Sequence, residues 1–227
     1  QALPVVCDVR DEDNVQAAID KTVEKFGGID ICINNASAIS MTGTQATSMK
    51  RYDLMNQVNA RGTFLMSKLC LPFLKQSDHA HILNLSPPLD MSAKWFKNHT
   101  AYTMAKYGMS MCTLGMAEEF KPMNIGVNSL WPLTSINTAA VRNVLGGEQL
   151  AKMSRTPEIL SDCAHMMLIK DPAEFTGNFV VDEDFMRGEG VTDFAKYAPG
   201  YDGQLAGDFF VPQEIFDRVP TKVMTAY

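Results

Sequence analysis

The chain has 227 residues, 46% of them hydrophobic and 20% charged, with a formal net charge of -6. That length suffices for one sizeable α/β domain with a buried core, and the composition is that of an ordinary globular protein. The acidic balance, with no basic cluster, argues against a nucleic-acid or anionic-membrane partner.

No signal peptide is read at the start, and no stretch has the length and polarity of a membrane span. Gln1 is not an initiator methionine, and Leu3 to Cys7 already reads as a short apolar strand. The sequence is therefore expected to begin inside a longer polypeptide. Asp13 can cap a helix over 14–26, where Val15, Ala18, Ile19 and Val23 recur at helical spacing. Gly27-Gly28 ends it. Residues 29–33 form the next expected strand, followed at once by Asn34-Asn35-Ala36-Ser37.

A long helical region is predicted over 48–75, then a strand over 81–85 that ends at Ser86-Pro87-Pro88. A helix follows over 100–120. The strand at 126–130 closes on Trp131-Pro132, and a helix over 157–169 leads to a last strand at 178–181. From Glu183 onward, Gly, Pro and acidic residues predict a loop-rich tail with a short helix at 213–218. Alternating strands and helices predict a parallel sheet with crossover helices, read as a single domain over 1–227. Tyr227 forms no recognisable targeting end.

The five cysteines, Cys7, Cys32, Cys70, Cys112 and Cys163, are scattered in apolar runs. They read as reduced, packed thiols of an intracellular protein. No His-Glu-x-x-His pair occurs among the four histidines, so no metal centre is expected. The stretches 62–74 and 104–116 are apolar nearly all round. A helix of that kind is buried on both sides. One side can face the sheet, and a second subunit is the expected cover for the other, giving a homodimer or homotetramer.

Tyr102-Thr103-Met104-Ala105-Lys106 places a phenol and an ammonium at positions i and i+4 of a predicted helix, on one face. A free phenol titrates near about 10, too high to exchange protons readily at neutral pH. A neighbouring ammonium favours the phenolate. The pair can then act as general acid and base on an alcohol–carbonyl couple. Taken alone, a Tyr-x-x-x-Lys pattern is a weak sign. Its context is stronger: Asn34-Asn35-Ala36 sits where a strand's carboxyl end meets a loop, the place where open α/β sheets bind ligands. Ser86 stands at the end of the next strand. Asn59 lies inside a predicted helix, where a polar Asn is unfavourable unless its side chain has a task.

Taken in order, Asn-Asn-Ala, Asn59, Ser86, Tyr102-x-x-x-Lys106 and Pro132 after a strand resemble the short-chain dehydrogenase/reductase family. The stretches that carry the resemblance are CDVRDE, FGGIDICINNASAIS, VNARGTF, HILNLSPPLD, AYTMAKYGMSMCTLGMAEEF, VNSLWP and FTGNFVVDED, over residues 1 to about 190. The resemblance implies a Rossmann-type doubly wound parallel sheet and an NAD(P)-dependent oxidoreductase acting on a secondary alcohol or carbonyl, with a lipid-like substrate in view. It tilts the cofactor toward NADP over NAD. Tyr102 would exchange a proton with the substrate oxygen, and Lys106 would hold the nicotinamide ribose. Ser86 would hydrogen-bond the substrate oxygen, and Asn59 would bend its helix and hold a water. Asp8 would contact the adenine. Val9, Asn35, Ala36 and Ser37 would line the cofactor cleft. Pro132 and the loop with Thr134, Ile136 and Thr138 would close over the nicotinamide and phosphates. The expected setting is cytoplasmic, or peroxisomal or mitochondrial in a eukaryote.

The sequence departs from the family pattern at several places. Ser37 and Leu133 stand where glycine is common. Ser86 lies further ahead of Tyr102 than is usual, with Trp95-Phe96-Lys97 as an apparent insertion. Either Ser86 serves, or Ser92 does, or the site works without a serine; Ser86, at the strand's end, is the expected one. Trp95, Phe96, Met91 and the loop around Leu133 to Val144 are expected on the substrate side. The family's first strand, Gly-x-x-x-Gly-x-Gly turn and second strand should precede residue 1. A cofactor-free binding or scaffold protein that kept the fold is the alternative function.

Overall fold

A computed structural model describes residues 1–225; Tyr227 lies outside the described residues. A four-stranded sheet is made of β1 (Ile31–Asn34), β2 (Ala80–Asn84), β3 (Ile125–Trp131) and β4 (Phe179–Val181), in that order. The first three run parallel, with Ile33 opposite Leu83 and Leu83 opposite Asn128. Helices separate successive strands: α1 (Glu12–Phe26) before β1, α2 (Met49–Asn56) and α3 (Gly62–Leu74) before β2, and α4 (Thr100–Phe120) before β3. This is the α/β, Rossmann-type architecture that the alternating pattern predicts.

The chain divides into two compact units. The first comprises Gln1–Ser86, Asn98–Ser129 and Lys170–Asn178. Its core joins Val15 and Ile19 of α1, Leu65, Cys70 and Leu74 of α3, and Met116 and Phe120 of α4 to Cys32, Ile82 and Val127 of the strands. Every residue of β2 and β3 is buried, as expected for inner parallel strands. Edge strand β1 buries only alternate residues, and Ile31 and Ile33 are exposed.

Leu3 to Cys7 forms no strand, and Val6 is 99% exposed. An apolar run becomes a strand only where its backbone groups find ladder partners, and these residues have none. The cap of α1 is Asp11, not Asp13: its extended backbone lets the carboxylate accept from the Asn14 N–H at 2.9 Å. Gly27, in the left-handed conformation, ends that helix as read. The helical region 48–75 is present as read, in three contiguous pieces. Ser48 caps α2, and a π-helical turn over Gln57–Arg61 joins it to α3.

The second unit comprises Pro87–Lys97, Leu130–Ile169 and Phe179–Tyr227. It holds the end of β3, α5 (Gly147–Lys152), α6 (Glu158–Leu168), β4, α7 (Asp182–Gly188), β5 (Leu205–Ala206), α8 (Gln213–Arg218) and β6 (Val223–Met224). The tail is therefore less loop-like than its composition predicts. Helix α7 begins on Asp182 and Glu183, both fully buried, where a loop-rich tail is expected from Glu183 onward. Glu183 accepts from Arg155 at 2.5 Å and from Arg187 at 2.6 Å, so the buried charge is paired.

Candidate active site

Helix α4 presents Tyr102 and Lys106 one turn apart, and both are buried, at 5% and 4% exposure. Close packing places this helix. A Cβ added at Gly108 would lie 2.5 Å from the Ala60 Cβ, so α4 can press onto the π turn only because residue 108 has no side chain. The Lys106 ammonium donates to the Leu85 carbonyl at 2.9 Å, and its Nζ is 3.6 Å from the Met109 sulfur. Leu85 immediately follows β2 and precedes Ser86, so the lysine head is pinned at the strand's carboxyl end.

Asn59 sits in the π turn and is fully buried. Its Nδ2 donates to the Ala38 carbonyl at 3.0 Å and its Oδ1 accepts from the Ala38 N–H at 2.7 Å. The amide thereby latches the loop that leaves β1 and satisfies its own polar atoms. Such π turns favour functional positions because they re-aim backbone groups within a helix. Ser86 is fully buried, and its Oγ lies 2.8 Å from the Ser129 Oγ. Ser92, the other candidate serine, belongs to the second unit, where its backbone N–H and hydroxyl both donate to Asp90.

The remaining candidates of the first unit divide by exposure. Asn35, Ala36 and Ser37 are exposed just beyond β1. Asn34, by contrast, turns inward and donates to Asn84 and Ser67. Asp8 is paired with Arg10 at 2.6 Å, and hydrogen bonds from Arg10 pull its carboxyl down to about 2. Arg61 of the π turn donates to the Arg10 carbonyl at 2.6 Å. Val9 packs on Gly62, where an added Cβ would lie 3.2 Å from the valine methyl.

In the second unit, Pro132, Thr134, Ile136 and Thr138 lie on the segment that follows β3. The Leu133 N–H donates to Asp182 at 2.9 Å, and the Leu133 carbonyl accepts from the Asp208 N–H. Thr134 forms an antiparallel bridge with Gly207, and Ile136 a parallel bridge with Arg155. The Thr138 carbonyl accepts from the Arg142 N–H. Trp95 is fully buried, its indole N–H donating to Asp90 and its ring 5.7 Å from Phe210. It is packed in this unit's core instead of presented to a substrate, while Met91 is exposed.

A nicotinamide dinucleotide needs a hydroxyl-binding group near its ribose, an open strand end along its length and backbone amides for its pyrophosphate. Lys106 and the exposed Asn35–Ser37 backbone fit the first two needs. No Gly-x-x-x-Gly-x-Gly turn occurs in the sequence, and no residue here is assigned to the pyrophosphate. Among the described residues, no group of three or more His, Cys, Asp or Glu is placed to hold a metal ion, and no helix is long and apolar enough to cross a membrane.

Parallel strands with crossover helices, a Tyr-x-x-x-Lys pair buried on α4 and a serine at the end of the preceding strand define the class of protein. The chain belongs to the short-chain dehydrogenase/reductase family. Its residues 1–173 match the family described as "Enoyl-(Acyl carrier protein) reductase". It is 55% identical over 213 residues to hydroxysteroid dehydrogenase-like protein 2 of Xenopus tropicalis, and 54% identical over 215 residues to that of Homo sapiens. Each alignment takes in 94% of this chain and 50% of the relative, so the chain spans half the length of these curated relatives. The fold is similar to that of a putative dehydrogenase from Xanthomonas campestris, with TM-score 0.89, 47% identity and coverage of 93% of this chain and 77% of that one. A short-chain dehydrogenase from Mycobacterium thermoresistibile gives 0.85, 48%, 93% and 75%.

Proposed function

We propose that the protein is an NAD(P)-dependent oxidoreductase that interconverts a secondary alcohol and a carbonyl. The observation that carries this reading is the convergence within one unit of buried Tyr102, Lys106, Ser86 and Asn59, with the lysine head fixed at the residue before Ser86. The cofactor, when bound, supplies or accepts the hydride. Tyr102 then gives a proton to the substrate oxygen in reduction and takes it back in oxidation. Lys106 favours the phenolate through its charge and holds the nicotinamide ribose. Ser86 hydrogen-bonds the substrate oxygen. Asn59 keeps the π turn and the Ala38 loop in register.

The cofactor favoured is NADP over NAD. Asp8, Val9, Asn35, Ala36 and Ser37 flank it in this reading. The substrate class favoured is lipid-like, in keeping with the name carried by the hydroxysteroid dehydrogenase-like relatives. A homodimer or homotetramer is built on α3 and α4: Phe64, Met104, Met111 and Leu114 are each about half exposed, a large apolar area for helices that also serve the core. An intracellular setting accords with five free cysteines.

Fluorescence titration of the full-length protein with NADPH and with NADH, followed by turnover of a panel of ketones and aldehydes, tests the proposal. Saturable binding, tighter for NADPH, with turnover of an apolar ketone is expected. Binding of neither nucleotide would support the cofactor-free scaffold instead.

A further inference from the structure

Behind Ser86 runs a chain of neutral side chains, all buried: Asn34, Asn84, Thr113, Ser129 and Ser86. They come from β1, β2, α4 and β3, and from the end of β2. Asn34 Nδ2 donates to Ser67 Oγ at 3.0 Å and to Asn84 Oδ1 at 2.8 Å. Asn84 Nδ2 donates to Thr113 Oγ1 at 2.7 Å. Thr113 Oγ1 is 2.7 Å from Ser129 Oγ, which is 2.8 Å from Ser86 Oγ.

Proton counting fixes the direction of the amide links and leaves two arrangements for the hydroxyls. An amide nitrogen carries two protons, an amide oxygen none and a hydroxyl one. Asn34 spends both Nδ2 protons, which makes the Asn84 oxygen an acceptor and turns the Asn84 nitrogen toward Thr113. Thr113 Oγ1 therefore accepts from Asn84 and still carries one proton. Either oxygen of the Thr113–Ser129 and Ser129–Ser86 contacts can donate. With the Thr113 proton on Ser129 and the Ser129 proton on Ser86, Ser86 Oγ accepts and keeps its own proton for a group outside the chain.

We infer that Thr113 and Ser129 are positioning residues that set the Ser86 hydroxyl as a hydrogen-bond donor. The inference rests on the proposed role of Ser86 beside the substrate. It sharpens that role, because a donor selects an acceptor: the oxygen of a ketone, an aldehyde or the alkoxide derived from it. The other arrangement, with Ser86 donating to Ser129 and Ser129 to Thr113, leaves both amides as they are, spends the Ser86 proton inside the chain and offers the substrate only lone pairs, which a carbonyl oxygen cannot use.

Neutron diffraction from a deuterium-exchanged crystal of the full-length protein reads the direction without any turnover. Deuterons on Thr113 aimed at Ser129, and on Ser129 aimed at Ser86, are the expected result. A deuteron on Ser86 aimed at Ser129 overturns the inference. A kinetic cycle uses 9,10-phenanthrenequinone reduction by NADPH as the probe. Thr113→Val should lower kcat about tenfold, less than deleting an oxyanion donor outright. It should leave the KM for NADPH unchanged, while Thr113→Ser, which keeps the hydroxyl, retains parental turnover. In a Ser86→Ala background Thr113→Val should cost nothing more. Fully additive losses would overturn the positioning role and leave the enzyme reading intact. Parental turnover by Ser86→Ala would instead remove Ser86 from the proposed mechanism, and this inference with it.

Discussion

The two units bury polar groups by opposite means. The first threads uncharged amides and hydroxyls from Asn34 to Ser86, each link between 2.7 and 2.8 Å. The second buries charge: Arg155 and Glu183 are fully enclosed, with Arg187 and Thr221 also on the Glu183 carboxylate. A neutral hydroxyl chain can transmit a proton direction at little desolvation cost. A buried ion pair is costly to desolvate and more costly still to break, so it serves to hold one arrangement of the chain. The contrast assigns chemistry to the first unit and the fastening of the tail to the second.

Substitutions in each unit can break that contrast. Glu183→Ala should have the largest effect on stability, a loss of about 3–5 kcal/mol, because it strands the buried Arg155 charge. Urea denaturation measures it, and a loss below about 1 kcal/mol, the range of exposed pairs, would show that the cluster is not a fastening. Asp182 comes next. Burial raises its carboxyl to about 6 from an ordinary 3.8, against the favourable Leu133 N–H. A folded-state value above the unfolded one means that stability is greatest when the group is protonated. It is lost as pH rises from about 4 through about 6, to a total of about 3 kcal/mol. The difference in stability between the parent and Asp182→Asn should show that slope, whereas parallel pH profiles would exclude it. Gly108→Val should cost about 1–3 kcal/mol by overpacking the Ala60 contact. It should lower activity as well, since it pushes α4 off the π turn; a stable, fully active variant would contradict that role for the glycine.

The parts of the fold that were legible in the sequence are those fixed by local pattern. Helix α4 runs over the predicted residues, since no proline interrupts Thr100 to Phe120 and Pro122 follows it. The core strands also fall within a residue or two of their expected places. Leu3 to Cys7 misled because strand formation depends on a partner, not on composition. Helix α7 was hidden because acidic residues from Glu183 onward suggest a loop until Arg155, 28 residues away in sequence from Glu183, is seen beside it. The candidates Tyr102, Lys106, Ser86 and Asn59 stand out in the sequence through their order and spacing, and the structure buries all four. Thr113 and Ser129 were not: a lone hydroxyl in an apolar helix or strand carries no periodic signal. Asn34-Asn35 drew notice as a pair, but only the structure separates the inward Asn34 from the exposed Asn35. Trp95 seemed a substrate wall because an inserted aromatic is hard to place, and the tail residue Phe210 that packs on it is distant in sequence.

The most direct test removes one oxygen. In the full-length protein, Tyr102→Phe keeps the ring in its buried seat and deletes the proton-carrying hydroxyl. NADPH binding by fluorescence should stay near the parental value, while carbonyl reduction falls by about 10²–10⁴-fold. Turnover within a fewfold of the parent, with cofactor bound, would contradict the assignment of proton transfer to this tyrosine.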